Sequence, residues 1–315
     1  MKTILFYGNC QVAKLFRIFQ LILPKESIQT YHMEQVQHIK SAEYFARPSI
    51  RRKIQSAGLV VMQYVQSEET NPFQHIVPFL KDDTHIVIMD SLYCGFFHPD
   101  LVKSRSLPSE FPGFLHDFNI IEAWIQNVPL STFLKNDPFN VSNFYTDEYL
   151  DKQYKSTIDE LKKRYILCDS KVVSAAQLRP ELKFSSGGIT DFLKDRRNIK
   201  TTLWGDFNHP FNPVFKYVTQ KICKHFDIEF NETKFDENFN CKINEDGYIR
   251  PPCKSVIEYF GFDEAIEHRN YSLSEDYKNV PRSRHVSDVY SLYEGCDKKL
   301  LKSEYDMLYQ KRLSK

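Results

Sequence analysis

The chain has 315 residues, of which 42% are hydrophobic and 14% aromatic, and its formal net charge is +1. This composition supports a large packed core and excludes global disorder, and the balanced charge does not favour a nucleic-acid-binding protein. Seven scattered cysteines without a C-x-x-C pair predict neither a disulfide framework nor a metal site. The absence of a signal peptide pattern and of any membrane-length apolar run predicts a cytoplasmic protein.

The first 23 residues predict a strand, a tight turn and a helix. Residues 4–7 form an apolar run typical of a strand buried on both faces. Gly8 and Asn9 predict a sharp turn, because both tolerate positive φ, and apolar residues at helical spacing follow from Val12. Cys10 would lie where open α/β sheets bind ligands and where the helix dipole favours a thiolate. It is a candidate nucleophile, although a small buried structural cysteine fits the spacing equally well.

Further strands alternate with helices along the first part of the chain. Strand patterns cover residues 27–32, 58–65 and 84–90, and helical patterns cover residues 34–57 and 72–81. Such alternation predicts an α/β fold with a mostly parallel, doubly wound sheet of the flavodoxin or SGNH type, flanked by helices.

The rest of the chain predicts large helical insertions and a C-terminal extension. Helices are predicted over residues 111–126, 145–165, 189–197, 212–226, 254–260 and 297–312. Asn212 is the predicted N-cap of its helix and Pro213 suits the first helical position. We expect residues 1–226 to form an α/β catalytic domain and residues 227–315 to pack on it as an extension.

Two of the ten histidines stand in turns that suit a catalytic base. His209 follows Asp206 by three residues, a spacing that lets a carboxylate orient an imidazole. His98 lies in an aromatic-rich loop after the strand at residues 84–90 and is followed by Pro99 and Asp100. A histidine that caps a helix or binds a backbone carbonyl would also fit either position.

The order of these residues resembles the SGNH hydrolase superfamily. In that superfamily a serine follows the first strand in a Gly-Asp-Ser turn, and an aspartate and a histidine come late in the domain. Here residues 8–10 read Gly-Asn-Cys, and Asp206 and His209 match the late pair.

A closer resemblance is to the WcbI-type polysaccharide biosynthesis family, regarded as acetyltransferases of capsular polysaccharide that bind coenzyme A. Three motifs carry it: Y-G-N-C-Q at Tyr7–Gln11, H-P-D at His98–Asp100 and N-H-P at Asn208–Pro210. Gln63, at a predicted strand end, also fits the pattern. The resemblance spans residues 1 to about 226.

The resemblance implies acetyl transfer from acetyl-CoA to a sugar hydroxyl of a capsular or other surface polysaccharide. Cys10 would attack the thioester, His209 or His98 would act as the base, and Asp206 would orient it. A direct transfer without an acyl-enzyme is equally allowed. The alternatives are an SGNH-like esterase or deacetylase of acetylated carbohydrate, and a non-catalytic carbohydrate-binding protein in which Cys10 is merely buried.

The remaining candidate residues would position the reacting groups. The groups expected to bind the oxyanion or hold the turn are the backbone N–H groups of Cys10 and Gln11, the amides of Asn9 and Gln63, and Gly8 and Asn208. The residues expected to bind substrate are Tyr93, Phe97 and Asp100, of which the aromatic pair would stack on a sugar or an adenine. Aromatic loops also commonly pack within a core.

Overall fold

The chain is described by a computed structural model. It covers residues 3–24, 28–63, 65, 67–89, 92–104, 106–107, 115–139, 141, 144–175, 183–185, 189–194, 199, 203–205, 209–239, 249–262, 270–274 and 276–313, with the side chains of residues 165–175, 183–185 and 311–313 left out. The strands are β1 (Thr3–Tyr7), β2 (Gln29–His32), β3 (Leu59–Gln63), β4 (His85–Met89), β5 (Leu101–Lys103), β6 (Leu115–Asp117) and β7 (Lys183–Ser185).

The helices connect and cover these strands. They are α1 (Cys10–Ile22), α2 (Glu43–Ala46), α3 (Pro48–Ser56), α4 (Pro72–His75), α5 (Phe118–Ile125), α6 (Leu130–Lys135), α7 (Asp147–Ala175), α8 (Ile189–Lys194), α9 (Asn212–His225), α10 (Glu232–Asn238), α11 (Lys254–Phe260), α12 (Arg282–Glu294) and α13 (Lys298–Leu313). Short 3-10 turns lie at Val36–His38 and Val77–Phe79.

Five strands form one parallel sheet in the order β2-β1-β3-β4-β7. This is the order of flavodoxin-like sheets, in which the first and third strands are neighbours and the chain leaves them in opposite directions. The predicted doubly wound α/β fold is therefore confirmed. Strands β5 and β6 pair antiparallel in a separate two-stranded sheet that the sequence did not predict.

The sheet is buried on both faces because helices cover each side. On one face, Leu5 lies opposite Val60, and both pack into an aliphatic and aromatic cluster with α2 and α3. On the other face, the ring of Phe6 contacts Phe16 and Phe19 of α1 at centroid distances of 5.7 and 5.4 Å. The uninterrupted apolar runs in the sequence follow from this two-sided burial.

The chain divides into two compact units whose segments alternate along the sequence. Unit 1 comprises Met1–Leu92, Asp159–Lys194 and Phe211–Lys242, and contains the parallel sheet. Unit 2 comprises Tyr93–Ile158, Asp195–Pro210 and Ile243–Lys315, and contains β5, β6 and most of the insertion helices. The predicted boundary between residues 226 and 227 is not one of these divisions and stays a prediction.

Several helix boundaries differ from the predicted ones for local reasons. Helix α5 begins at Phe118 rather than near residue 111. Asp117 caps it, because its side chain accepts hydrogen bonds from the backbone N–H groups of Asn119 and Ile120. Helix α7 continues ten residues beyond its predicted end, to Ala175. The prediction that Asn212 is an N-cap is wrong by one residue, since Phe211 has the extended cap backbone and Asn212 begins α9.

Candidate active site

The turn between β1 and α1 is held by a short-range cap. Asn9 is the N-cap of α1, and its Oδ1 accepts a hydrogen bond of 2.9 Å from the backbone N–H of Gln11. The backbone of Asn9 is extended, with φ of −85°, so the turn does not use the positive φ that asparagine tolerates. The asparagine is used for capping, because its side chain satisfies an N–H group that the first helical turn leaves without an intrahelical partner.

Gly8 serves close approach rather than unusual φ. A Cβ atom at this position would lie 2.4 Å from Cγ2 of Val12 and 3.1 Å from Cβ of Gln63. Any larger residue would therefore push the start of α1 away from β3. The glycine lets the backbone after β1 lie directly against the end of β3.

Gln63 joins the ends of the two neighbouring strands. Its Oε1 accepts a hydrogen bond of 3.3 Å from the backbone N–H of Asn9, and the residue is 5% exposed. Because Oε1 is the acceptor, the amide nitrogen Nε2 occupies the other position, and no described residue accepts a hydrogen bond from it. In this strand order, the ends of β1 and β3 flank the switch point where such folds bind ligands.

Gln11 anchors the chain after β4. Its Nε2 donates to the carbonyl of Leu92 at 3.2 Å, and its Oε1 accepts from the N–H of Leu92 at 3.0 Å. The side chain, 2% exposed, therefore pairs with Leu92 as a neighbouring strand would. The backbone N–H of Gln11 binds the side chain of Asn9, so both the backbone N–H and the side-chain amide of Gln11 already have hydrogen-bond partners.

Cys10 is the first residue of α1 and is half-buried. In contrast, Cys94, Cys223 and Cys253 are buried, with at most 1% of each residue exposed. Burial raises the pKa of Cys94 well above its usual range, raises that of Cys223 to about 12, and also raises that of Cys253. Among the cysteines whose side chains are described, Cys10 thus has a rare combination of solvent access and a helix N-terminus.

His98 is held inside unit 2. It is 1% exposed, and its Nε2 lies 3.0 Å from the backbone carbonyl of Trp204. Because a carbonyl can only accept, Nε2 must carry the hydrogen in this contact. The neighbouring Phe97 stacks on the Trp204 ring at a centroid distance of 5.9 Å. Trp204 therefore fixes the H-P-D loop through both of these residues.

The same tryptophan begins the turn that carries His209. Trp204 forms an antiparallel bridge with Pro210, and Gly205 donates a hydrogen bond of 2.8 Å to the carbonyl of His209. His209 is half-buried, unlike His98. Residues of both the H-P-D and the N-H-P motif therefore contact Trp204. Sequence reasoning missed this residue, although it is one of only two tryptophans in the chain and lies just before the N-H-P motif. Asp206 and Asn208 lie outside the described residues.

The predicted substrate-binding residues are mostly inside the core of unit 2. Phe97 is fully buried and also contacts Phe260 and Phe262, and Asp100 is 3% exposed. Tyr93 is half-buried and packs against β5 and β6. Of these three side chains, Tyr93 has the greatest access to solvent.

The described residues contain neither a metal-binding cluster nor a membrane-spanning helix. Within those residues, His, Cys, Asp and Glu side chains form no group of three or more suited to hold a metal ion. Likewise, none of the helices in the described part of the chain is both long and apolar enough to cross a membrane.

The fold and the turn together define an α/β protein with a cysteine at the switch point of a parallel sheet. The chain belongs to the WcbI family: the family model, described as polysaccharide biosynthesis enzyme WcbI, matches residues 3–231. The resemblance inferred from the three sequence motifs is therefore confirmed, and the chain is a member of a family of polysaccharide biosynthesis enzymes.

A solved structure of WcbI has the same fold. It aligns with a TM-score of 0.73 and 17% sequence identity, covering 97% of this chain and 94% of that chain. It is described as a novel polysaccharide biosynthesis enzyme, in a native form without a disulfide bond between CoA and one of its cysteines. No curated protein matches the chain significantly.

Proposed function

We propose that the protein transfers an acetyl group from acetyl-CoA to a sugar hydroxyl of a capsular or other surface polysaccharide or its precursor. The observation that carries the proposal is the β1–α1 turn, where Cys10 begins a helix and Gln63 binds the preceding residue. The family description supports a polysaccharide-related substrate. The mention of CoA beside a cysteine in the WcbI structure supports a CoA thioester as donor, and this donor favours a cytoplasmic location.

The proposed reaction has two steps, acetylation of Cys10 and transfer of the acetyl group from Cys10 to the sugar. The Cys10 thiolate attacks the acetyl carbonyl, a new C–S bond forms, and the CoA thiolate leaves and takes up a proton. The sugar hydroxyl then attacks the acetylated cysteine, His209 accepts its proton, and the Cys10 thiolate is regenerated. Direct attack of the sugar on acetyl-CoA, with His209 as the base, is the alternative order of events.

Gln63 is the proposed donor to the oxyanion. Its Oε1 is bound by the N–H of Asn9, which leaves the two hydrogens of Nε2 to bind a developing negative charge. Gln11 is a poorer donor, because its backbone N–H binds Asn9 and its side chain binds Leu92. We therefore assign Gln11, Gly8 and Asn9 to holding the turn.

His209 is the proposed base and His98 a supporting residue. The Nε2 atom of His98 is committed to the Trp204 carbonyl inside the core, whereas His209 is half-buried on the turn that Trp204 begins. Tyr93 is the proposed sugar or adenine contact, and the burial of Phe97 and Asp100 favours support of the loop. The roles of Asp206 and Asn208 stay predictions.

Binding and turnover of CoA test the proposal. CoA in excess should stabilise the protein by mass action, by about 2.7 kcal/mol at a concentration roughly 100 times Kd. Acetyl-CoA should be consumed faster when an acceptor from a panel of nucleotide-activated sugars and capsular oligosaccharides is added. Cys10→Ser should keep the CoA-induced stabilisation and lose turnover, because most CoA contacts lie away from the sulfur.

Gln63→Glu separates the two roles of that side chain. An ionised glutamate retains an acceptor for the N–H of Asn9 but has no hydrogen to donate, so we expect a loss of roughly 10²–10³ in kcat, together with a loss of stability because the carboxylate is buried. In the same assay, His209→Gln should abolish turnover in a folded protein, whereas His98→Gln should mainly lower stability.

Two other outcomes would replace the proposal. Release of acetate from acetylated sugar, together with no thermal shift from millimolar CoA, would identify an SGNH-like esterase. Sugar affinity that Cys10→Ala leaves unchanged, without consumption of acetyl-CoA, would identify a carbohydrate-binding protein.

A further inference from the structure

The loop after β3 is held at two of its backbone carbonyl groups. Within residues 67–71, which lead to α4, the carbonyl of Thr70 accepts a hydrogen bond of 2.6 Å from the hydroxyl of Tyr7. The carbonyl of Glu68 lies 2.7 Å from Nε2 of His75, which must carry the hydrogen because a carbonyl can only accept. The Tyr7–Thr70 hydrogen bond is buried, so its loss would leave the carbonyl without water as a substitute.

One phenylalanine ring supports both donors. The Phe45 ring, 1% exposed, contacts the ring of Tyr7 at a centroid distance of 5.6 Å and stacks on the ring of His75 at 4.9 Å. Burial raises the pKa of Tyr7, so its hydroxyl keeps the hydrogen that it donates. Packing therefore fixes both donors before any ligand binds, and the loop cannot shift without losing contacts with the core of unit 1.

Tyr7 connects this loop to the β1–α1 turn. It is the last residue of β1, and a Cβ atom added to the next residue, Gly8, would lie 3.1 Å from Cβ of Gln63 at the end of β3. Helix α1 packs on the face of the sheet that carries Phe6, whereas Phe73 of α4 packs against the cluster that contains Tyr7. The connections after β1 and β3 therefore leave toward opposite faces, and they form the two walls of the switch-point crevice in which such folds bind ligands.

We propose that Tyr7 and His75 are positioning residues that fix the second wall of this crevice and thereby set the affinity for the acyl donor. The proposal rests on the proposed function, since it takes a CoA thioester as the ligand. A thioester that reacts at Cys10 lies outside the carboxyl ends of β1 and β3. In this arrangement the pantetheine chain lies against the loop after β3. A loop that is ordered before binding loses less conformational entropy when the ligand arrives, and its order has no direct effect on the sulfur of Cys10.

Tyr7→Phe is the test variant, because it keeps the ring against Phe45 and removes only the hydroxyl. Hydrogen exchange in the full chain should become about tenfold faster at the N–H of Thr70, which donates to the carbonyl of Ser67 within the loop at 3.2 Å. Isothermal titration should show a Kd for CoA about tenfold higher than that of the wild type. Alkylation of Cys10 by iodoacetamide without CoA should keep its wild-type rate, and KM for acetyl-CoA should rise at unchanged kcat.

His75 gives a second, independent series of variants at a half-buried position. His75→Phe keeps the stack on Phe45 and removes the donor to Glu68, so the Kd for CoA should rise in the same direction. His75→Gln, whose amide nitrogen can replace Nε2 as a donor, should restore most of the affinity. This series also tests the proposal if Tyr7→Phe does not fold.

Tyr44→Phe is the matched control within the same cluster. Tyr44 is 8% exposed and contacts the Phe45 ring at a centroid distance of 5.3 Å. Its hydroxyl, however, accepts a hydrogen bond of 2.9 Å from the N–H of Glu34, which follows β2 rather than β3. The substitution therefore removes a buried hydroxyl whose hydrogen-bond partner lies outside the loop. We expect the exchange at Thr70 and the Kd for CoA to stay at their wild-type values, even where stability falls.

Unchanged exchange at Thr70 in a folded Tyr7→Phe protein would overturn the proposal. So would an unchanged Kd for CoA in both Tyr7→Phe and His75→Phe, or an equal rise in Tyr44→Phe. If wild-type protein does not bind CoA, the proposed donor is wrong, and the acetylated sugar of the esterase assay becomes the probe. Its KM should then rise about tenfold in Tyr7→Phe at constant kcat, and an unchanged KM would again contradict the proposal. The exchange measurement needs neither ligand, so the two proposals fail separately.

Discussion

The two units bury different kinds of side chain. In unit 1 the sheet faces are lined by aliphatic and aromatic residues such as Leu5, Val60 and Ile88, each at most 2% exposed. In unit 2 a guanidinium group lies in the interior: Arg282 binds Asp117 at 2.7 Å and Asp137 at 2.9 Å. The first core depends on the area removed from water, whereas the second depends on every charge having its partner.

The guanidinium group of Arg282 has further partners besides these two ion pairs. The guanidinium group also donates a second bond of 3.1 Å to Asp137, donates to the hydroxyl of Tyr271 at 2.6 Å, and lies 3.8 Å from the centroid of the Phe139 ring. Asp117 in turn caps α5. Loss of one member would leave buried charges without compensation, so the comparison predicts that unit 2 is the more sensitive to a single polar substitution.

Arg282→Met should lower the free energy of unfolding more than any other substitution considered below. The substitution leaves the carboxylates of Asp117 and Asp137 buried without their cation, and we expect a loss of about 3–5 kcal/mol in the free energy of unfolding. Urea denaturation at neutral pH measures it. The control is Lys302→Met, which breaks an exposed pair with Asp306 and should cost at most about 1 kcal/mol. Equal effects of the two substitutions would contradict the comparison.

Gly8→Ala tests the apolar unit at its tightest point. The added methyl group would lie 2.4 Å from Val12, so α1 or β3 must shift, and we expect a loss of about 1–3 kcal/mol in the free energy of unfolding. The matched control is Gly295→Ala in unit 2, where the nearest atom to the new Cβ, the carbonyl oxygen of Leu292, lies at 3.8 Å. Comparable losses in both variants would show that crowding at the turn is not the cause.

The same contrast explains what the sequence predicted. Four strands of the unit 1 sheet, β1 to β4, and the position of Cys10 followed from local signals, since uninterrupted apolar runs and helical spacing reflect two-sided burial. The sequence did not predict the fifth strand, β7. The Arg282 network joins residues 145 and 165 positions apart, and no local pattern marks such a contact. The sequence also missed α10 and α12. Helix α10 has only seven residues, and the many polar residues of both helices weaken the periodic apolar signal.

The candidate site was predicted to a similar, partial extent. The motifs located Cys10, Gln63 and the two histidines, because turns between strands and helices have a distinctive composition. The sequence left the roles of His98 and Gln11 open, and the structure gives each a backbone partner, in Trp204 and Leu92. These partners are far along the chain, 106 and 81 positions away, so spacing alone does not reveal them.

Lowering the pH should weaken unit 2 through His285. Burial, together with the nearby Arg250, Arg282 and His116, lowers the pKa of His285 well below its usual 6.5. Below about pH 6.5 the unfolded chain therefore binds a proton that the folded protein does not, and the free energy of unfolding falls by up to about 1.4 kcal/mol per pH unit. The loss continues until the pH reaches the folded-state pKa.

Urea denaturation between pH 7 and 5 tests this dependence. His285→Phe retains a ring that can stack on Tyr271, as the histidine does at a centroid distance of 4.0 Å. The variant should lose the part of the pH dependence of the free energy of unfolding that corresponds to about one bound proton. His38→Phe, at an exposed position, should leave the slope unchanged. In unit 1, where burial also lowers the pKa of His32, His32→Phe should give a smaller change because that histidine is less buried.

The reactivity of the thiols also differs between the two units, and measuring it should have the smallest effect on the protein, because labelling an accessible cysteine should not change stability. Unit 1 contains the half-buried Cys10 and the buried Cys223, and unit 2 contains the buried Cys94 and Cys253 and the half-buried Cys296. Partial burial raises the pKa of Cys296, and its Sγ donates to a backbone carbonyl within α12. Cys10 instead begins a helix, where the dipole favours the thiolate.

Limited alkylation near neutral pH should therefore label Cys10 first and Cys296 more slowly. The experiment uses a Cys168→Ser, Cys241→Ser background, because those two side chains are outside the described part of the chain. Cys94, like the other buried thiols, should react only after unfolding, since its thiolate is strongly disfavoured. Labelling at Cys10 should leave the urea midpoint unchanged. Earlier reaction at Cys94 or Cys296 would show that the helix N-terminus does not activate Cys10, and would remove the main support for its role as nucleophile.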